Sequence, residues 1–245
     1  MTSSPSVALV TGASRGIGAR IATRLAQAGH AVLVNYASRA DEANAVVQAI
    51  EAAGGRALAV RGDVSRAADV DALFDAAHDT YGRLDILVNN AGVISTQPVA
   101  QYTDEQYARI FDINTRGTFN TLRAAATRLA DGGRVINFST TALALALPGY
   151  AIYNASKAAV EAFTQVYAKE MRGRNITVNA VAPGPVATEL FLQGKTAEQV
   201  AHFTKLPPLE RLGQPDDIAE VVAFLASPAS GWINGQVIRA NGGVA

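Results

Sequence analysis

Tyr153 and Lys157 stand four residues apart in a run whose apolar spacing predicts a helix over 152–172, so a phenol and an ammonium share one helix face. A free phenol ionises near pH 10, and bringing it to about 7 takes roughly 4 kcal/mol, which a cation held close in a partly dry site can supply. That makes the pair a candidate proton donor. A surface tyrosine beside a solvated lysine is the commoner fate of such a pair. Here the pair opens the helix after the fifth strand, beside an expected ligand crevice, which favours chemistry. Two hydroxyls, Ser139 and Thr140, follow the predicted strand Arg134–Phe138. Either can donate to a carbonyl oxygen, and either can bond the backbone at a strand end. Asn114 lies inside a predicted helix, where its type is unfavourable and solvent exposure is the ordinary alternative.

A second group of residues suits a dinucleotide. The first predicted strand runs into Thr11-Gly12-Ala13-Ser14-Arg15-Gly16-Ile17-Gly18 and then a helix. Gly12 permits the tight turn, Gly16 lets a pyrophosphate approach the backbone, and Gly18 lets the helix pack on the sheet. The alternative is a sharp strand-to-helix turn with no ligand. An acidic residue at the end of the second strand would bond a ribose 2′-hydroxyl and repel a 2′-phosphate. This chain has Asn35-Tyr36-Ala37-Ser38-Arg39 there, with no acid, and Arg15 and Arg39 both reach that corner. Guanidinium matches phosphate geometry, so the charge pattern favours NADP over NAD. His30, His78 and His202 lack metal-ligand spacing, and no metal is expected.

Alternation of elements supplies the frame. Strands are predicted at Val7–Val10, Ala31–Asn35, Ala57–Arg61, Ile86–Asn89, Arg134–Phe138, Thr177–Ala182 and Gln236–Arg239. Helices are predicted at about 16–28, 40–53, 66–80, 104–130, 152–172 and 216–226. Strands separated by helices of that length need crossovers, so the sheet is mostly parallel and buried on both faces. One doubly wound α/β domain spanning 1–245 follows, with seven strands and helices on both faces. Between 183 and 215 the rhythm breaks into a proline-rich excursion with a short helical piece, Thr196–Phe203, which reads as a substrate lid.

Composition narrows the partners. The chain has 245 residues, 21 basic against 21 acidic, and no cysteine, which excludes disulfide scaffolds and thiolate chemistry. Zero net charge argues against nucleic-acid binding. The N-terminal Met1–Ser6 lacks the features of a signal peptide, and the apolar run Ala142–Leu147 is too short to span a membrane. A cytoplasmic protein is expected. Charged residues make up only 17%, which points to apolar ligands or to surface covered by another chain.

Five motifs, in order and at the expected strand ends, resemble the short-chain dehydrogenase/reductase family over essentially the whole chain. They are Thr11–Gly18 as T-G-x-x-x-G-x-G, Asn89-Asn90-Ala91-Gly92 as N-N-A-G, Asn114, Tyr153 with Lys157 as Y-x-x-x-K, and Pro183-Gly184. The resemblance implies a Rossmann domain, NADP(H)-dependent interconversion of a carbonyl and an alcohol, and catalytic roles for Asn114, Thr140 or Ser139, Tyr153 and Lys157. Counting 13 back from Tyr153 or six on from Arg134 arrives at Thr140, where the family usually has serine; the 14-residue spacing of some relatives favours Ser139. Asn114 would interrupt its helix locally and hold a water. The implied cofactor site comprises Gly12, Ser14, Arg15, Gly16, Ile17, Gly18, Asn35, Tyr36, Ala37, Ser38, Asp63, Val64, Asn90, Ala91, Gly92, Tyr153, Lys157, Pro183, Gly184, Val186 and Thr188. Asp63 reads equally well as a turn or capping residue.

Apolar residues around the site, Ala142–Leu147, Tyr150, Phe191, Leu192, Phe203 and Leu206, suggest an apolar or aromatic ketone. Within the family the chain looks most like hydroxynaphthalene reductase-like members, notably in its Asn241-Gly242-Gly243 ending. A 3-oxoacyl-carrier-protein reductase is the second reading, weakened because Leu129-Ala130-Asp131-Gly132-Gly133 offers no basic residue to an acidic carrier. A catalytically silent nucleotide-binding protein would have no need of Asn114, Tyr153 and Lys157 together. On the 152–172 helix, Ala155, Ala159, Ala162 and Val166 form one apolar stripe and Val160, Phe163, Tyr167 and Met171 another. One stripe should cover the sheet. The other needs a partner, and the family pairs this helix across a homodimer interface, commonly within homotetramers.

Overall fold

The computed structural model describes residues 5–245; most of the N-terminal segment Met1–Ser6 lies outside them. Seven strands, β1 (Val7–Val10), β2 (Ala31–Tyr36), β3 (Arg56–Arg61), β4 (Ile86–Asn89), β5 (Arg134–Phe138), β6 (Thr177–Pro183) and β7 (Val237–Ala240), form one sheet in the order β3-β2-β1-β4-β5-β6-β7. Every neighbouring pair is parallel. The fold is thus the single Rossmann-type domain expected from the alternation, and its strand ends fall within about two residues of the predicted ones.

The pleat sorts each buried strand between two cores. Ala8 and Val10 face α1 (Gly16–Gln27), α2 (Ala40–Ala52) and α10 (Pro215–Ala226), where Ile21, Leu25, Ile50 and Val222 close the layer. Val7 and Leu9 face α3 (Ala67–Tyr81) and the helices that follow β4 and β5, with Leu73, Phe74, Leu122 and Tyr167 as the large side chains. Because both faces are covered, β1 and β4 are buried at every position.

The predicted 104–130 helix is three pieces: α4 (Asp104–Phe111), a π turn (Asp112–Arg116) and α5 (Gly117–Arg128). A π turn widens the helix locally, and it carries Asn114 at its centre, fully buried. A four-residue helix, α6 (Ala142–Leu145), follows β5 and leads into α7 (Ala151–Glu170). Behind these pieces a polar chain crosses the core. Thr121 Oγ1 donates to Asn89 Oδ1 at 2.7 Å, Asn89 Nδ2 to Asn137 Oδ1 at 2.8 Å, and Asn137 Nδ2 to Thr164 Oγ1 at 2.9 Å.

The 183–215 excursion contains α8 (Glu189–Leu192) and α9 (Ala197–Lys205), the latter opened by a capping box of Thr196 and Gln199. Its two ends are tied at the base, where Val186 pairs with Gly213 and Gly213 N donates to Pro185 O at 2.9 Å. Among the described residues no helix is long and apolar enough to cross a membrane, and no group of three or more His, Cys, Asp or Glu is placed to hold a metal.

Candidate active site

Strand order reverses between β1 and β4, and loops leaving a sheet at such a point diverge to open a crevice. A groove of about 630 Å³ lies there, lined by Gly12, Ser14–Gly18, Asn35–Arg39, Asp63, Val64 and Asn90–Gly92, with Thr188 and Glu189 on the far wall. Its floor is tight. A Cβ on Gly18 would lie 2.4 Å from Asn90 Nδ2 and 2.5 Å from Gly12 O, and Gly12 has a φ of +61° with Ala91 Cα 2.9 Å from a Cβ. Thr11 Oγ1 accepts from the amides of Asn90 and Ala91, both at 3.0 Å, which locks the post-β4 loop onto the glycine turn. No side chain caps the N-terminus of α1, whose first residues Gly16, Ile17 and Gly18 line the groove, so amides there are left for a ligand.

Several expected cofactor contacts are committed to the protein itself. Asn35 is buried, its Oδ1 accepting from Gly12 N at 3.1 Å and its Nδ2 donating to Gly62 O at 2.9 Å, so it positions the turn. Asp63 accepts from Ser65 N and Ser65 Oγ, the capping alternative, while still lining the groove. Arg15 and Arg39 do meet at one corner, and the carboxylate of Glu189 lies between them.

The groove opens into a second cavity of about 180 Å³, lined by Asn90, Gly92, Ser139, Thr140, Tyr150, Tyr153, Lys157, Pro183, Gly184, Val186 and Thr188. Its apolar wall includes Ala142, Leu145, Leu147, Phe191 and Phe203 as expected; Leu190 joins it with the Lys195 side chain beside it, whereas Leu143, Ala144, Ala146, Leu192 and Leu206 do not line it. Leu192 is exposed instead; Leu190, exposed as well, still borders the cavity rim, and Phe191 is the half-buried residue of this turn. Tyr153 and Lys157 share one face of α7.

The two hydroxyls separate. Thr140 lines the cavity beside the Tyr153 phenol, and its Oγ1 accepts from Ala142 N at 3.2 Å. Ser139, only 3% exposed, donates to Glu161 Oε1 at 2.6 Å on the sheet-facing side of α7. Asn114 is clamped, with Oδ1 accepting from Val93 N at 2.8 Å and Nδ2 donating to Val93 O at 2.9 Å and to Ser156 Oγ at 3.0 Å. A Cβ on Gly92 would lie 3.2 Å from Asn114 Oδ1 and 3.4 Å from Lys157 Nζ, so these two side chains close on the same glycine.

Burial dominates the electrostatics. It pushes the Tyr153 phenol above its ordinary value, the nearby Thr140 hydroxyl pulls it back in part, and Tyr150 adds to the rise. Burial also lowers the Lys157 ammonium to about 8, and Nζ donates to Phe138 O at 2.8 Å. The expectation that Lys157 brings the phenol down toward neutrality is therefore corrected for the protein by itself. The ammonium is spent on a backbone carbonyl and is itself desolvated.

A parallel sheet with a glycine-floored groove at its switch point, adjoining a tyrosine and a lysine on one helix face, defines a dinucleotide-dependent α/β oxidoreductase. The chain belongs to the short-chain dehydrogenase/reductase family. A family model described as enoyl-(acyl carrier protein) reductase matches residues 12–245. The chain is 49% identical to an uncharacterized oxidoreductase of Methylorubrum extorquens over 240 residues, 97% of each chain. It is 42% identical to a hydroxynaphthalene reductase-like protein of Metarhizium acridum over 250 residues, 97% of this chain and 94% of the other. Among solved structures it resembles the angucycline C-6 ketoreductase LanV with bound NADP, with a TM-score of 0.93, 39% identity, and 98% and 95% of the two chains covered.

Proposed function

We propose that the protein is an NADP(H)-dependent oxidoreductase that interconverts a ketone and a secondary alcohol, reducing an apolar or aromatic carbonyl compound in the cytoplasm. The observation that carries this reading is the Tyr153 phenol, with Thr140 beside it, lining an apolar-walled cavity that opens onto the dinucleotide groove. The groove fits the cofactor. The glycine floor leaves backbone amides open where a Cβ would intrude, and two guanidinium groups stand at the corner where a 2′-phosphate would lie.

When bound, the nicotinamide supplies the hydride; the chain's own residues handle the oxygen. Burial keeps the Tyr153 phenol protonated at neutral pH, which suits it to give a proton to a carbonyl oxygen as that oxygen gains charge. The Thr140 hydroxyl, beside that phenol, donates to the same oxygen, and Ser139, engaged by Glu161, is left a supporting role. Lys157, with its pKa near 8, holds an exchangeable proton on the same helix face. Asn114 fixes the wall beside it through the π turn. Residues 183–215 form a lid whose α8 and α9 supply Phe191 and Phe203 to the substrate cavity.

The protein acts as a homodimer or homotetramer. Val160 and Tyr167 of α7, and Met171 just past its end, are buried in the core, while Ala155, Ala162 and Val166 of the second stripe are exposed, with Phe119 of α5 exposed as well. Tyr153→Phe tests the catalytic reading. It should lower turnover on aromatic ketones by about 10²–10⁴-fold while NADPH binding, followed by fluorescence, stays unchanged. Near wild-type turnover would sink the assignment.

A further inference from the structure

Arg15 and Arg39 leave the sheet on different loops, yet both turn toward one carboxylate that belongs to neither. Arg15 Nη1 is bonded to Glu189 Oε2, and Arg39 Nη2 lies 3.7 Å from Glu189 Oε1. Glu189 is the first residue of α8, on the lid. Arg39 has a second acidic partner, Glu42, at 2.5 Å, but Glu42 sits one turn along the same helix and moves with it. Of the two carboxylates at this corner, only Glu189 comes from another segment. Its neighbour Thr188 caps α8 by accepting from Phe191 N at 3.2 Å and packs 3.6 Å from where a Cβ on Gly16 would sit. The lid is thus fastened to the glycine loop at two adjacent residues, one by packing and one by charge.

We propose that Glu189 is a displaceable counter-ion of the arginine pair that reads the cofactor's 2′-phosphate, so that arrival of that phosphate frees the leading edge of the lid. The proposal rests on the NADP(H) reading above. Glu189, Arg15 and Arg39 line the same groove, so a phosphate bonded to both guanidinium groups must take the place the carboxylate now holds. The bond from Arg15 holds the Glu189 carboxyl below the usual carboxylate range, and the adjacent positive charges reinforce this, so it competes as an anion throughout the neutral range. The competition is unequal. A phosphate monoester brings up to two charges and three acceptor oxygens to two forked donors, against one charge and two oxygens. Both partners of the Arg15–Glu189 bridge are well exposed, and such bridges are weak enough to be exchanged. A nucleotide without the 2′-phosphate has nothing to exchange for the carboxylate and leaves the lid fastened. Glu189 therefore acts as a specificity-determining residue, tempering 2′-phosphate affinity and reporting its arrival to the segment that walls the substrate cavity.

The test uses 2′,5′-ADP and 5′-AMP as probes, titrated calorimetrically into the whole protein, wild type and Glu189→Gln, with Glu189→Ala as a second variant. Wild type should prefer 2′,5′-ADP. Loss of the carboxylate should tighten 2′,5′-ADP by about fivefold, the range expected for removing a weak competing ion pair, and leave 5′-AMP within about twofold. Hydrogen exchange should show the amides of 188–193 opening in wild type on addition of 2′,5′-ADP but not 5′-AMP, and already open in Glu189→Gln alone. If wild type discriminates the two nucleotides but both variants match it, or bind 2′,5′-ADP more weakly, Glu189 is not the competitor and the proposal is overturned with the cofactor reading intact. If wild type binds both probes equally, the NADP(H) reading falls and takes the proposal with it.

Discussion

Replacing Lys157 with methionine should change how stability depends on pH, not merely its level. The Lys157 side chain is 5% exposed, and burial lowers its ammonium from the ordinary 10.5 to about 8. Between pH 8 and 10 the unfolded chain keeps this proton while the folded chain releases it. The unfolded state binds more protons, so folding stability rises with pH across that window. Below pH 8 the cost of burying the charged form is fully present; it fades as pH climbs toward 10.5. Integrating between the two values gives a gain of about 2 kcal/mol from pH 8 to pH 10.

Tyr153 and Tyr167, both raised by burial, act in the opposite direction above pH 10, and remain in both proteins. Subtraction removes them. Urea unfolding followed by circular dichroism at pH 8, 9 and 10, at one fixed protein concentration, measures the difference between wild type and Lys157→Met. That difference should move by about 2 kcal/mol in favour of wild type as pH rises. Parallel stability curves would refute the claim that a proton is lost from buried Lys157 in this range.

Thr140→Ala should lower kcat/KM by about 10²-fold, the typical loss of one donor to a developing oxyanion, whereas Ser139→Ala should stay within a few-fold because its hydroxyl is turned to Glu161; steady-state kinetics on an aromatic ketone separates them, and equal losses would return the two hydroxyls to parity. Gly18→Ala places a methyl 2.4 Å from Asn90 Nδ2 and 2.5 Å from Gly12 O, so the variant should lose NADPH binding in a fluorescence titration or fail to fold. Normal binding would mean that the glycine turn has slack the geometry does not show. Val166→Arg puts a charge on the exposed stripe of α7, where the wild-type side chain is 55% exposed, and should shift the protein toward monomer in sedimentation velocity; an unchanged sedimentation coefficient would move the subunit contact elsewhere.

What was legible in the chain follows from range. Strands such as Ile86-Leu87-Val88 announce themselves because burial on both faces demands unbroken apolar residues. The i,i+4 spacing of Tyr153 and Lys157 carries its own geometry. Periodicity alone did not interrupt the 104–130 helix: a π turn adds one residue to a single turn, which a hydrophobic period tolerates, and only the family likeness at Asn114 pointed to it. The four residues of α8 are too few to make a periodic pattern. Spacing from Tyr153 and Arg134 points to Thr140 with Ser139 as its substitute, and what sets the two hydroxyls apart in space is Glu161, 22 positions from Ser139 in the chain. The sign of the Tyr153 shift needed desolvation, which depends on packing that no local spacing encodes. Glu189 could have been suspected only as an acid following Thr188; its arginine partner Arg15 is 174 residues away.

The amide chain through Asn89 and Asn137 has a further consequence for how the sheet assembles. Asn89 and Asn137 are register partners of β4 and β5, and each uses its oxygen on one side and its nitrogen on the other. A slip of one residue by either strand would send its amide to the opposite face and leave that amide and the groups it pairs with unsatisfied, each buried polar end costing about 1–3 kcal/mol. Greasy neighbours such as Val88 and Ile136 cannot enforce this, for one apolar contact replaces another cheaply. The relay of amides makes mispairing discontinuous in energy, so β4 and β5 have one alignment to find, and the loops they launch into the crevice inherit that alignment.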